Sequence, residues 1–122
     1  MKRNPDLVRK ILIYLDEKPD DKMVTELQLE GHDANEVMYH FILMDQAGLI
    51  RCEREVSTST PDRVIRVYPF SLTWQGHEFL EASRNETRWN KAKELIKAKS
   101  GSMSMDVLKA VLIAMAKESV GL

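Results

Sequence analysis

A single cysteine, Cys52, is all that 122 residues supply, so no intramolecular disulfide can form and a four-ligand cysteine zinc site is excluded. No apolar run approaches the roughly 20 residues that span a bilayer, so no membrane contact is expected. Nor does a positively charged segment lead into an apolar run with a cleavage site, which makes a cytoplasmic location the expectation. Glycine-rich phosphate loops and serine-nucleophile elbows are missing too. The three histidines, His32, His40 and His77, lie too far apart in sequence for a metal-ligand spacing, and structural roles are expected for His40 and His77. Nothing here calls for catalysis, a cofactor, a metal or a small-molecule substrate. Cys52, beside Glu53 with no thiolate-stabilising cluster, reads as a strand cysteine rather than a nucleophile.

What is present is enough apolar content, 43% against 30% charged, to bury a core without covalent support. Net charge is only −1, but it is unevenly spread. Residues 16–45 carry nine acids against two bases, net −7, whereas residues 84–99 carry six bases against Glu86 and Glu94, net +4. Affinity for phosphate, if any, should begin in that basic stretch.

Leu7, Val8, Ile11, Leu12 and Leu15 recur at three- and four-residue spacings and predict a first helix, starting near Leu7 with Asp6 as its cap and stopped by Lys18-Pro19-Asp20-Asp21. Leu27-Gln28-Leu29 alternates ahead of Gly31, which suits a short strand paired with a later hairpin. Asp33 or Asn35 can cap a second helix running to Gly48, a residue suited to the left-handed closing position. Ile50, Cys52, Arg54 and Val56 alternate with Arg51, Glu53 and Glu55, predicting a strand. Ser57 to Asp62 is a polar tip, and Val64 to Tyr68 returns until Pro69 ends the strand.

Thr73 is a good cap for a third helix with Phe79 and Leu80, in which Gly76 admits a close backbone. Asn85 or Thr87 precedes a basic helix bearing Trp89, Ala92, Leu95 and Ile96. After Ser100-Gly101-Ser102, with Ser102 or Ser104 as cap, comes a last helix whose apolar face is Val107, Leu108, Val111, Leu112 and Met115. The order describes an α+β, mostly helical chain: a winged helix (helix, short strand, helix, β-hairpin wing, helix) over residues 1–83, with two additional C-terminal helices over 84–122 that pack on it or form a dimer interface.

At Val37, His40, Phe41, Leu43, Met44, Ala47, Gly48 and Leu49 the chain is similar to the second helix of the helix-turn-helix in winged-helix repressors of the metal-sensing and multidrug-resistance types. Over nearly its full length it resembles the bacterial and phage family called domain of unknown function 2513. The likeness rests on Met1-Lys2-Arg3-Asn4, Asp6 to Leu12, Tyr39-His40, Leu72 to Leu80 and Trp89-Asn90-Lys91. That second resemblance implies a small protein found near prophage genes and no assigned catalytic residues.

Where such repressors place groove-contacting polar groups, this chain has Met38 and Ile42, followed by Asp45. An apolar and then anionic surface of that kind repels DNA, and no first helix of the pair is evident between Leu15 and Asn35. Met38 and Ile42 are therefore candidates for a protein interface or for cover by the C-terminal helices. Val107, Leu108, Val111, Leu112 and Met115 are candidates for a homodimer seam, and the seven methionines suit an adaptable interface. The reading is a non-catalytic protein working through protein contacts, with itself or another partner. The competing reading is a dimeric DNA-binding regulator using Arg51, Arg54, Arg63 and Arg66 of the wing with Arg88, Lys91, Lys93 and Lys97 of the basic helix. Trp74 and Trp89 are assigned to packing, as core or interface anchors.

Overall fold

The computed structural model describes residues 2–100 and 105–119, without the side chains of residues 99, 100, 105 and 119. Its elements are α1 (Pro5–Glu17), α2 (Ala34–Gln46), β1 (Ile50–Val56), β2 (Val64–Leu72), α3 (Trp74–Ser83), α4 (Glu86–Ser100) and α5 (Met105–Ser119). The fold is thus α+β and mostly helical, with one two-stranded antiparallel sheet among the described residues. The chain divides into two compact units, 1–77 and 78–122. Gly101-Ser102 of the expected break, the caps Ser102 and Ser104, Met103, and the side chains of Lys99 and Met105 lie outside the described residues.

In the first unit the predicted α1 stripe is the core: Leu7, Val8, Ile11, Leu12 and Leu15 are all buried. The cap is Asn4 rather than Asp6, its side-chain oxygen accepting from the amides of Asp6 and Leu7. The helix begins at Pro5, two residues before the expected start, because a first-turn position needs no N–H and the fixed φ of proline is already helical. Asp33 caps α2 through the Glu36 amide at 2.8 Å, and Gly48 closes it at φ +73°. His40 is wholly buried. Its Nδ1 lies 2.8 Å from the Glu36 carbonyl while Nε2 accepts from the Asn4 amide at 2.8 Å, so one neutral tautomer joins the α1 cap to α2.

Two expectations about the sheet need correction. Leu27–Leu29 forms no strand with the hairpin; Gly31, at φ +84°, turns the chain so that Leu29 bridges His32 instead. The link to β2 is made earlier, by the Val24 amide donating to the Pro69 carbonyl at 2.7 Å. Pro69 itself lies buried inside β2, which continues to Leu72. A strand residue directs its N–H and C=O to the same side, so the donor that proline lacks is on the outer side, and the register shift between Arg51 and Cys52 accommodates the ring.

The hairpin leads into α3 through a rigid corner. Thr73 donates from its amide to Leu49 O at 3.1 Å and from its hydroxyl to Gly48 O at 2.5 Å, and the same hydroxyl accepts from the Gly76 amide at 3.0 Å. A Cβ on Gly76 would stand 2.1 Å from Leu49 O, so the close approach expected at this glycine is real.

In the second unit Trp89 is buried and meets Phe79 edge to face at 6.3 Å between centroids. Asn85 caps α4 through the Arg88 amide at 2.9 Å. Ala92 and Ile96 of α4 and Leu108 and Leu112 of α5 are buried, and the two helices pack together.

Candidate interaction surfaces

α2 carries the stretch that resembles a repressor's reading helix, yet none of its residues from Glu36 to Asp45 is fully exposed. Met38 and Ile42 are half-buried. A helix partly covered along this whole stretch presents no row of fully exposed side chains to a groove. No helix precedes it between residues 18 and 33.

The anionic end expected at Asp45 is not a bare charge. Arg54 of β1 grips it with two parallel bonds, Nε to Oδ2 at 2.7 Å and the terminal nitrogen to Oδ1 at 2.6 Å. These bonds hold the Asp45 carboxyl below its ordinary range, burial opposing them, and raise the Arg54 guanidinium. The arrangement supplies α2 with the cation that its C-terminal dipole lacks, since its last turn has no basic residue. Cys52, half-buried in the same cluster, has its thiol pushed up to about 11, first by burial and then by Asp45 beside it. Nine residues and a reversal at Gly48 separate Asp45 from Arg54, so no helical or strand periodicity could have revealed the pair.

The other hairpin arginines divide. Arg51 lies over the Phe70 ring at 5.2 Å. Arg66 faces Glu55 across the ladder, with that carboxylate accepting from the Tyr68 hydroxyl at 3.0 Å. Arg63 and Arg66 are exposed. The tip is ordered by bonds of its own: Ser57 N to Arg63 O, Arg63 N to Thr60 O and Thr60 N to the Ser57 hydroxyl.

On α4 the bases do not share a stripe. With about 100° per residue, and Trp89, Ala92 and Ile96 pointing inward, Arg88 and Lys91 fall on one flank and Lys93 and Lys97 on the other. Glu94 occupies the solvent-facing centre between them. Lys93 lies over the Trp89 ring at 5.4 Å from its centroid. A shallow groove of ≈ 530 Å³ beside Arg88 and Lys91 also has Glu118 in its wall, with Asn85, Thr87 and Met115.

The α5 face is split. Leu108 and Leu112 are fully buried within the chain, Val111 and Met115 are half-buried, and Val107 is 50% exposed. Ala110 and Ala114 are exposed on the Val107 side. Lys109, the one charge between Asp106 and Lys117, reaches toward Glu78 at 3.8 Å.

The tryptophans also differ. Trp89 is core, as expected, but Trp74 is 76% exposed and is no core anchor. It stands two residues from Gly76, about 200° around the helix from the side that touches Leu49. Two histidines have acidic neighbours: His32 contacts the Glu36 carboxylate, and His77 Nδ1 lies 3.7 Å from Asp16 Oδ1. Among the described residues no three histidine, cysteine or acidic side chains are placed to hold a metal ion, and no helix is long and apolar enough to cross a membrane.

Residues 2–102 match the model of the family described as hypothetical protein (DUF2513). An uncharacterized protein of Haemophilus influenzae is 40% identical over 112 residues, covering 91% of this chain and 92% of its own length. No solved structure matches.

Proposed function

The chain belongs to this DUF2513 family, and on that premise we propose that it acts without catalysis, through protein contacts, as a homodimer whose seam follows the outer side of α5. The observation that carries the reading is the chemistry of that side: Val107, Ala110 and Ala114 meet solvent with no exposed charge between Asp106 and Lys117. A lone surface helix ordinarily places charged residues there, and small side chains let a second helix approach closely. Leu108 and Leu112 build the floor beneath the seam, and Val111 and Met115 its edge.

The first unit serves in this reading as a winged-helix scaffold rather than a reader of bases. What speaks against groove reading through α2 is the partly covered stretch from Glu36 to Asp45, together with Arg54 being engaged by Asp45. Sedimentation at micromolar concentration tests the dimer. Ala110→Glu, a charge on the solvent side of a helix, should leave the far-ultraviolet spectrum unchanged and halve the sedimenting mass. A wild-type chain that sediments as a strict monomer removes the proposal.

A further inference from the structure

The two flanks of the hairpin are not equivalent. On β2 the Pro69 carbonyl turns outward to accept from the Val24 amide, and proline has no donor to add. In an antiparallel ladder directly opposed residues turn their bonding groups either toward each other or both away, so Cys52, opposite Pro69, faces the outer flank of β1. The alternation holds to the end of the strand, because the Ser57 amide donates inward to Arg63 O. Arg51, Glu53 and Glu55 therefore bond to β2, whereas Cys52, Arg54 and Val56 aim their N–H and C=O groups away from it. Among the described residues no bond from outside the sheet reaches the backbone of those three.

β1 is also the open strand of the two. Every residue from Glu53 to Val56 is exposed, while β2 is buried at Val67, Pro69 and Leu72 and receives α1 as well as α2. A bare edge of mixed charge resists casual pairing and favours a strand whose charges complement its own. Two of the three side chains on the solvent face are engaged within the hairpin: Arg51 lies over Phe70, and Glu55 accepts from the Tyr68 hydroxyl and stands opposite Arg66. The Glu53 carboxylate, opposite Tyr68, has neither an ion pair nor a hydrogen bond among the described residues. At the tip end Val56 is 47% exposed.

We infer that β1 is the docking edge for an extended segment of a partner protein, added antiparallel as a third strand, with a lysine or arginine opposite Glu53 and an apolar residue opposite Val56. Cys52, Arg54 and Val56 supply the main-chain bonds, and Glu53 supplies the choice of sequence. This rests on the reading that the chain works through protein contacts, but not on the α5 dimer, because every residue it uses lies in the first unit.

The test uses the full chain and a short blocked peptide of threonine and valine with one central lysine; the same peptide with glutamate in that place is the control. Before peptide is added, amide exchange read by NMR should alternate along β1, fast at Cys52, Arg54 and Val56 and slow at Glu53 and Glu55. Slow exchange at all five would mean that the edge is already covered, and overturns the inference. On titration the three outward amides should become protected, with the lysine peptide bound about fivefold more tightly than the control. Glu53→Lys, at an exposed position, should invert that preference. Val56→Pro removes an outward donor and no ladder bond, and should weaken binding about tenfold. No protection at millimolar peptide, equal binding of the two peptides, or a preference unchanged in Glu53→Lys each overturns the inference. Sedimentation of the same samples reports the α5 dimer separately, so either proposal can fail without the other.

Discussion

Gly76→Ala sets two physical effects against each other with opposite signs. Inside an exposed helix the change should stabilise by about 1 kcal/mol, because alanine restricts the unfolded chain. Here the new Cβ would be 2.1 Å from Leu49 O and 3.3 Å from the Leu72 Cβ, far inside ordinary contact. Backbone, not a flexible side-chain end, must retreat by more than an ångström, and Leu49 O is also the acceptor for the Thr73 amide. Overpacking of this kind costs roughly 1–3 kcal/mol, and weakening of that bond adds about 1 kcal/mol. Set against the propensity gain, the net is a loss of about 1–3 kcal/mol, or roughly 4–15 °C in Tm for a chain of this size. Urea and thermal unfolding followed by circular dichroism measure it, with the neighbouring exposed Gln75→Ala as the control for propensity. A Gly76→Ala protein as stable as wild type, or more so, would refute the account of how α3 seats on the hairpin.

Other outcomes follow from the polar contacts. His40→Phe keeps the volume but leaves the Asn4 amide without its acceptor, so a loss of about 1–3 kcal/mol is expected, with faster exchange of the Asn4 amide proton; unchanged exchange would count against the link. Asp45, whose carboxyl is held low by Arg54, contributes stability that is complete at neutral pH and is lost as the pH falls below the ordinary carboxylate range near ~4. Asp45→Asn should therefore flatten the acid limb of the stability profile, and superimposable limbs would exclude that role. With its thiol near 11, Cys52 should react with iodoacetamide at pH 8 far more slowly in the folded chain than in urea; equal rates would show that the thiol is neither buried nor influenced by Asp45.

Much of this architecture was legible because it is written in local periods and caps. The α1 stripe, the Asp33 and Thr73 caps, the left-handed Gly48, the crowded Gly76 and the satisfied His40 each depend on a few neighbouring residues. What escaped depends on partners distant in sequence or on subtler proline geometry. Pro5 and Pro69 look like stops, yet one sits where a helix needs no donor and the other where the missing donor faces away from the ladder. The Asp45–Arg54 pair forms only after the chain reverses. The outward set of Trp74 follows from Gly76 facing Leu49, a contact that the α3 sequence alone does not contain.

Pro69 has one more bearing, on how the molecule behaves in crowded solution. A two-stranded ribbon has bare flanks, each able to recruit a strand from a neighbouring molecule and begin a fibre. Along β2 that recruitment meets a gap where proline offers no hydrogen and, at the same residue, an oxygen already taken by Val24. One imino acid and one loop amide thus act as a stopper, letting a small protein carry a two-stranded hairpin without growing into sheets.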